Sequence, residues 1–227
     1  MSGPPPDAEP AVPFPVIIAG PSGAGKTTLC ERLLAAEGSR YLFSVSMTTR
    51  APRAGERDAI DYRFVSCAKF EALVARGDML EFATVHGERY GTPRDNLDRA
   101  RASGVHLLLD IDVQGARQLR AAVPEAVSIF VVPPTAERIV GQLRGRGSET
   151  PAQLDRRVAG ARAELEAAAE FHYLVVNNRL EEAAAAVSSI VAGHRSSARR
   201  LGSADRERLK RIIRELDGIE ARGSLEA

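Results

Sequence analysis

The stretch that most narrows the possible folds is residues 20–29, GPSGAGKTTL, which follow directly on the apolar run Val16-Ile17-Ile18-Ala19. Gly20 to Thr27 fit the pattern G-x-x-x-x-G-K-[ST], and the order apolar run, glycine turn, helix-forming segment is the setting that pattern requires. The loop that would hold a triphosphate runs through Gly20, Pro21, Ser22, Gly23, Ala24 and Gly25 into Lys26, Thr27 and Thr28. Its glycines let the main chain curl so that successive N–H groups face one anion. The positive end of a helix dipole adds to the same place. Lys26 contributes a compact charge for the β- and γ-phosphates, and the Thr27 hydroxyl is a ligand for Mg²⁺. A magnesium-binding loop of this kind needs a carboxylate at the end of a neighbouring strand; LLLDID supplies Asp110 there, with Asp112 two residues on. The expected ligand is therefore ATP with Mg²⁺, the metal held by Thr27 and Asp110.

A chain of 227 residues is long enough for one α/β domain with a small insert and needs no covalent staples. Its formal charge of +1 creates no field for nucleic acid or an anionic membrane, and no apolar run approaches the ~18 residues that span a bilayer. No nucleic-acid or membrane partner is expected; monomer and homo-oligomer both stay open. The first fifteen residues hold six of the 13 prolines without a basic or apolar block, so 1–13 reads as a Pro-rich tail rather than a signal peptide. Cys30 and Cys67 lack metal spacing and read as small buried side chains in a reducing, cytoplasmic setting. Among 31 basic residues only Lys26, Lys69 and Lys210 are lysine, so the lysine in the loop is informative where an arginine is not.

Buried-strand patterns at Val16–Ala19, 105–112, 126–132 and 172–177, with a strand-like run at 41–47, alternate with helical segments. That alternation predicts an α/β fold, a parallel sheet with helices on both faces. The segments 61–66 and 79–85 alternate apolar and polar residues and read as half-exposed strands of a small β insert. Helices are expected from Lys26 to about Ala36, over 67–77 and 94–104, through most of 135–169, and over 180–199. After residue 200, Leu209, Ile212, Ile213, Leu216 and Ile219 share one helical face, the mark of a helix that packs on the body or on a partner.

Three further stretches, SVSMTTRAPRAGERDAIDY, LEFATVHGERYGTP and LLLDIDVQGA, follow the glycine loop in an order and spacing that resemble the guanylate kinase family, P-loop nucleoside monophosphate kinases, from about Val16 to Ala192. The resemblance implies Mg²⁺-dependent transfer of the ATP γ-phosphoryl group to GMP or dGMP. It implies a core within 14–200, a GMP-binding insert near 44–96, a helical lid near 136–158, and a C-terminal helix over 201–227 outside the family pattern. It also implies roles by position. Glu81 would grip guanine, with Ser46 and Thr92 supplying hydroxyls and Asp112 a second acidic contact. Arg50 and Arg53, with Tyr62 and Tyr90, would hold the GMP phosphate, and Arg146 and Arg157 would close over the donor phosphates. The chemistry agrees. A carboxylate accepts guanine's adjacent N1–H and N2–H donors together and repels the bare N1 of adenine. Guanidinium forks suit phosphate.

Several positions depart from the family pattern. Gln142 stands where an arginine is frequent, with Arg138 or Arg144 as substitutes; Ala59 replaces a common glycine, so its loop is expected to run differently. His172 replaces an aspartate, and VNNR leaves Asn177 without its acidic neighbours. His86, His106, His172 and His194 share no metal spacing, and His106 reads as a satisfied core histidine. Two other readings use the same fold: a non-catalytic guanylate-kinase-like module that binds peptides, and a kinase for a different nucleoside monophosphate. The complete glycine loop counts against the first, Glu81 and Ser46 against the second.

Overall fold

In the computed structural model, which describes residues 12–53, 55–85, 87–144, 151–193 and 201–223, the chain runs β1 (Pro15–Ala19), α1 (Lys26–Glu37), β2 (Tyr41–Phe43), β3 (Met47–Thr48), β4 (Arg63–Phe64), α2 (Cys67–Ala75), β5 (Met79–Val85), β6 (Glu88–Pro93), α3 (Arg94–Ala102), β7 (His106–Asp110), α4 (Val113–Ala122), β8 (Val127–Val132), α5 (Ala136–Arg144), α6 (Pro151–Glu166), β9 (Tyr173–Val176), α7 (Leu180–Gly193) and α8 (Ser203–Gly223). Nearly all of the proline tail, Arg146, His86, His194 and the end of the helix expected over 180–199 lie outside the described residues.

The apolar runs form a five-stranded sheet in the order β2-β7-β1-β8-β9, parallel at every pairing. Parallel strands need crossovers, and the helices that make them cover both faces. Alternate residues of each strand feed opposite layers. Val16, Ile18, Leu108, Ile129 and Val131 meet α1 and α7, while Ile17, Ala19, Leu107, Leu109, Phe130 and Val132 meet the layer built from α4, α5, α6 and α8. The order of connection reverses at β1, so the loop after it opens at the point where α/β sheets place their ligands. Among the described residues no helix is long and apolar enough to cross a membrane.

The half-exposed strands form a second, mixed sheet in the order β4-β3-β6-β5. Residues 41–47, expected as one strand, divide between the two sheets. The Ser44 N–H still reaches Leu108 in the first sheet (2.8 Å), and the chain then turns out. Fully buried Asn96 on α3 holds this crossing: its amide donates to Ser44 Oγ at 2.9 Å and to the Val45 carbonyl at 3.0 Å. Its carbonyl accepts from Arg63 and Arg99, both at 2.8 Å. β6 and α4 have no counterpart among the expected elements. ERYGTP is too polar and too rich in turn residues to read as a strand, yet β5 and β3 pair with it on both sides. Cys30 is buried as expected, but Cys67 is exposed. It starts α2, and the residue that this helix buries is Phe70.

The amphipathic face after residue 200 packs on the body. Leu209, Ile212 and Leu216 join the core layer beneath α5 and α6, and Glu215 accepts the N–H of Ala136 (3.3 Å) at the start of α5. Leu216 is fully buried, so Leu216→Ala should cost about 2–5 kcal/mol. Urea unfolding of the variant and parent proteins measures it.

Candidate active site

β1 ends directly below the glycine loop. At Gly20 (φ +148°) a Cβ would stand 2.1 Å from the Val131 carbonyl oxygen, and at Gly25 (φ +77°) 2.6 Å from Asn177 Nδ2. At Gly20 the obstacle is main chain, so no side chain fits; at Gly25 it is the end of the Asn177 side chain, and the left-handed φ favours glycine there. Asn177 also donates to the Ala24 carbonyl at 2.9 Å, bracing the loop from the end of β9. The Lys26 ammonium lies over the loop, donating to the carbonyls of Gly20 (2.8 Å) and Pro21 (3.3 Å). Thr27 Oγ1 donates to Asp110 Oδ2 at 2.8 Å, so the two expected metal ligands are neighbours, one from each side of the β1–β7 pairing.

Around the loop lies a cleft of about 480 Å³ lined by Ser22, Gly23, Gly25, Lys26, Thr27, Thr28, Asp110, Gln142 and Glu164. Arg157 reaches it from α6, donating to Ser22 Oγ and to the Leu143 carbonyl, both at 3.3 Å. Gln142 packs against Gly23; neither Arg138 nor Arg144 lines the cleft. Glu164 carries no motif that would single it out in the sequence. It lies two turns along α6 from Arg157 and accepts a hydrogen bond from the Ser22 main chain. Burial raises its carboxyl above the usual range, opposed by the Lys26 charge.

A second cleft of about 390 Å³ adjoins the first and shares Ser22, Lys26 and Asp110 with it; Ser46, Tyr62, Glu81, Tyr90 and Asp112 line the rest. Of the eight residues expected to serve an acceptor, five stand at the cleft wall, Thr92 is buried behind it, and Arg50 and Arg53 are not part of the lining. Glu81 is 6% exposed and accepts from the Thr92 hydroxyl at 2.7 Å. Burial pushes its carboxyl up to about 7; the Thr92 hydrogen bond opposes this and the charge of Asp112 adds to it. Asp112 itself caps α4, accepting from the Gly115 N–H at 2.7 Å. Arg50 lies beside Tyr62, its guanidinium 5.4 Å from the ring centre, and donates to Tyr90 Oη at 3.1 Å. Glu56 grips its fork at 2.8 and 2.9 Å; nothing in the sequence distinguishes Glu56 beyond its place in GERD. That ion pair raises the Arg50 value further and lowers that of Glu56. Arg53 stands exposed on the same loop, outside the cleft lining, its main-chain N–H on Glu56 at 2.7 Å.

The departures have local explanations. Ala59 takes a positive φ of 61°, the left-handed conformation that glycine adopts freely and that costs an L-residue about 1–2 kcal/mol. Its N–H closes the turn on the Tyr62 carbonyl at 2.8 Å. His172 ties β9 to β8 by accepting the Ser128 N–H at 3.2 Å, and His106 accepts the Phe14 N–H at the same distance.

Two adjoining polar clefts over one lysine, on a parallel sheet that ends in a glycine loop, define a P-loop phosphotransferase. The guanylate kinase family model matches residues 13–194. A guanylate kinase of Dechloromonas aromatica is 46% identical over 167 residues, 74% of this chain and 82% of that protein. One of Thermus thermophilus is 43% identical over 206 residues, 89% and 93% of the two chains. The crystal structure of guanylate kinase from Anaplasma phagocytophilum aligns with a TM-score of 0.66 at 35% identity, covering 88% of this chain and 95% of that one. The chain belongs to the guanylate kinase family.

A carboxyl raised by folding holds its proton more tightly in the folded state than in the unfolded one. The stability that this proton adds is present below the ordinary glutamate range near ~4.3 and is lost as pH rises through about 7. Glu81→Gln, which removes the charge and keeps the shape, should therefore gain stability relative to the parent as pH rises from about 5 to about 8. Thermal melts at the two pH values test this; an unchanged difference would show that Glu81 is not desolvated.

Proposed function

We propose that the chain transfers the γ-phosphoryl group of ATP to GMP, and to dGMP, giving ADP and GDP. The observation that carries this reading is the buried carboxylate of Glu81, on the wall of a cleft that shares Lys26 with the glycine-loop cleft. An ionised carboxylate there accepts guanine N1–H and N2–H as a pair, and Ser46 serves the O6 side. Thr92 holds Glu81 from behind, and Asp112 takes a second base donor. Adenine would set its N1 lone pair against the carboxylate. Rejection of a wrong base by a buried polar site of this type reaches about 10⁴-fold, because the site's own groups would stay unpaired.

The acceptor phosphate is assigned to Arg50, with the Tyr62 and Tyr90 hydroxyls beside it, and to Arg53 from the same loop. Lys26 and the loop N–H groups between Gly20 and Thr28 hold the donor phosphates. Arg157, with Arg146 from the segment before α6, neutralises charge as the phosphoryl group passes between substrates. No side chain need remove a proton: a phosphate monoester has its second pKa near ~6, so the attacking oxygen is already ionised at neutral pH. The rate enhancement rests on positioning and on exclusion of water, which would otherwise take the phosphoryl group.

Thr27 and Asp110 suit Mg²⁺, since both offer hard oxygens and their 2.8 Å contact sets them at one point beside the loop. Among the described residues no three acidic, histidine or cysteine side chains form a metal cluster; Thr27 and Asp110 are the residues that would hold the ion. An ion held there by Thr27 and Asp110 would offset the negative charge of the donor phosphates.

ADP release from ATP and Mg²⁺ with GMP, dGMP, IMP, AMP, CMP or UMP offered singly tests the reading. GMP and dGMP should be the fast substrates, Lys26→Ala should abolish turnover, and Glu81→Ala should raise KM for GMP while leaving that for ATP near the parent value. Equal rates with AMP and GMP would overturn the assignment of Glu81.

A further inference from the structure

We propose that Gly115 and Gln118, one turn apart on α4, are positioning residues that set where the Glu81 carboxylate stands, and so determine the base specificity of the acceptor cleft. The proposal rests on the reading of Glu81 as the base-gripping residue and adds to it the groups that hold that residue in place.

Glu81 belongs to the second sheet, whereas α4 belongs to a layer of the first. Among the described residues β5 is the edge strand of its sheet and pairs only with β6, so every second residue turns its main-chain N–H and C=O away from the ladder. At Phe82, next to Glu81, both groups are taken by one side chain. The Phe82 N–H donates to Gln118 Oε1 at 3.1 Å, and Gln118 Nε2 donates to the Phe82 carbonyl at 2.8 Å. A primary amide that answers a strand edge in this way acts as a one-residue extra strand. It fixes both the height and the twist of β5 against α4.

Gly115 sets the remaining distance. A Cβ built there would lie 2.6 Å from Glu81 Oε2 and 3.1 Å from its Cδ, closer than a carbon and a carboxylate oxygen approach. The carboxylate is therefore seated on bare helix backbone, with its other oxygen on the Thr92 hydroxyl. Its seat is the first turn of α4, where the helix dipole favours an anion and offsets part of the repulsion from Asp112. The alternative, that Gly115 is merely a close-packing residue, does not account for the contact atom being the carboxylate oxygen rather than backbone or an apolar group.

The consequence reaches the other cleft. α4 follows β7 with only Ile111 and Asp112 between, and β7 ends in Asp110, which holds Thr27 of the glycine loop. The base-gripping carboxylate and the loop around the donor phosphates are thus referred to one strand–helix unit. A shift of Glu81 on α4 changes how the acceptor lies relative to the donor.

The test is steady-state kinetics of Gly115→Ala and Gln118→Ala with GMP, IMP and ATP varied separately. IMP keeps N1–H and lacks the 2-amino donors, so the ratio of kcat/KM for GMP over IMP reports the carboxylate's placement. Both variants should raise KM for GMP by about tenfold or more and narrow the GMP-to-IMP ratio, with KM for ATP within about twofold of the parent. In a Glu81→Asp background the shorter side chain clears the space a Cβ needs, so Gly115→Ala should cost about tenfold less there than in the parent, a coupling that a general structural defect would not give. Two results would overturn the proposal: variants that keep the parent KM for GMP and the parent GMP-to-IMP ratio, or variants that lose ATP and GMP affinity together with a lowered Tm. Should Gly115→Ala fail to fold, Gln118→Ala carries the same readouts. If Glu81→Ala leaves KM for GMP unchanged, the base-gripping role itself fails; if it raises that KM and the α4 variants do not, only the present proposal fails.

Discussion

The parallel pairing of β1 with β7, with Ile18 opposite Asp110, is the constraint on which the rest of the structure depends. It brings the end of β7 beside the loop that follows β1, so that Thr27 and Asp110 share a hydrogen bond across 83 residues of sequence. Strand residues alternate between faces, so a slip of one position would exchange Leu109 for Asp110 and put a carboxylate into the apolar layer. The surrounding hydrophobic pattern prevents it: Leu107, Leu108 and Leu109 are all fully buried, on alternate faces that each have a matching partner layer. The meeting point of the two clefts follows from this register, because Ser22, Lys26 and Asp110 line both.

Around that point the protein gathers charges of both signs and gives three of its cations partners in advance. Lys26 lies on loop carbonyls, Arg50 in the fork of Glu56, and Arg157 between Ser22 and the Leu143 carbonyl. A long basic side chain already held in one place loses less conformational freedom when an anion arrives, which is the advantage of preorganisation. The carboxylates bear the opposite strain. Glu81 and Glu164 both have values raised by burial, which identifies the clefts as places where charge is poorly solvated. There an added hydrogen-bond donor or cation is worth more than at the surface.

Family membership accounts for the glycine loop and the two sheets, and local contacts hold the positions that depart from its pattern. Ala59 takes a left-handed conformation that would cost a glycine less, in a turn that its N–H closes on the Tyr62 carbonyl. Gln142 presents a neutral amide to the donor cleft where a charged residue is usual in the family, leaving Arg157 as the described cation that reaches the loop from α6. α8 lies past the matched residues 13–194, yet Ile212 and Leu216 are as deeply buried as the central strands, and Glu215 supplies the start of α5 with a hydrogen-bond partner.

Much of this was readable from the residues. The apolar runs, the glycine loop and the chain order of strands and helices followed from local chemistry, because a continuous buried run and an amphipathic helix each need only their own neighbours in sequence to be recognised. A motif of fixed spacing singled out Glu81, Arg50, Tyr62 and Tyr90, and the fold brings Glu81, Tyr62 and Tyr90 to one cleft with Arg50 beside the two tyrosines. What local pattern could not carry was any feature whose physical reason lies in a distant segment. β6 is a strand because β3 and β5 pair with it, and the chain leaves the first sheet at Ser44 because Asn96 draws it out. Glu56 matters because it meets Arg50; Glu164 because α6 crosses the loop. Gly115 meets Glu81 because the carboxylate, from another sheet, lies where its Cβ would stand. The sequence determined which elements form and what chemistry they bear. Tertiary packing alone decided which side chains share a space, since contact distance in the folded chain bears no fixed relation to separation along it.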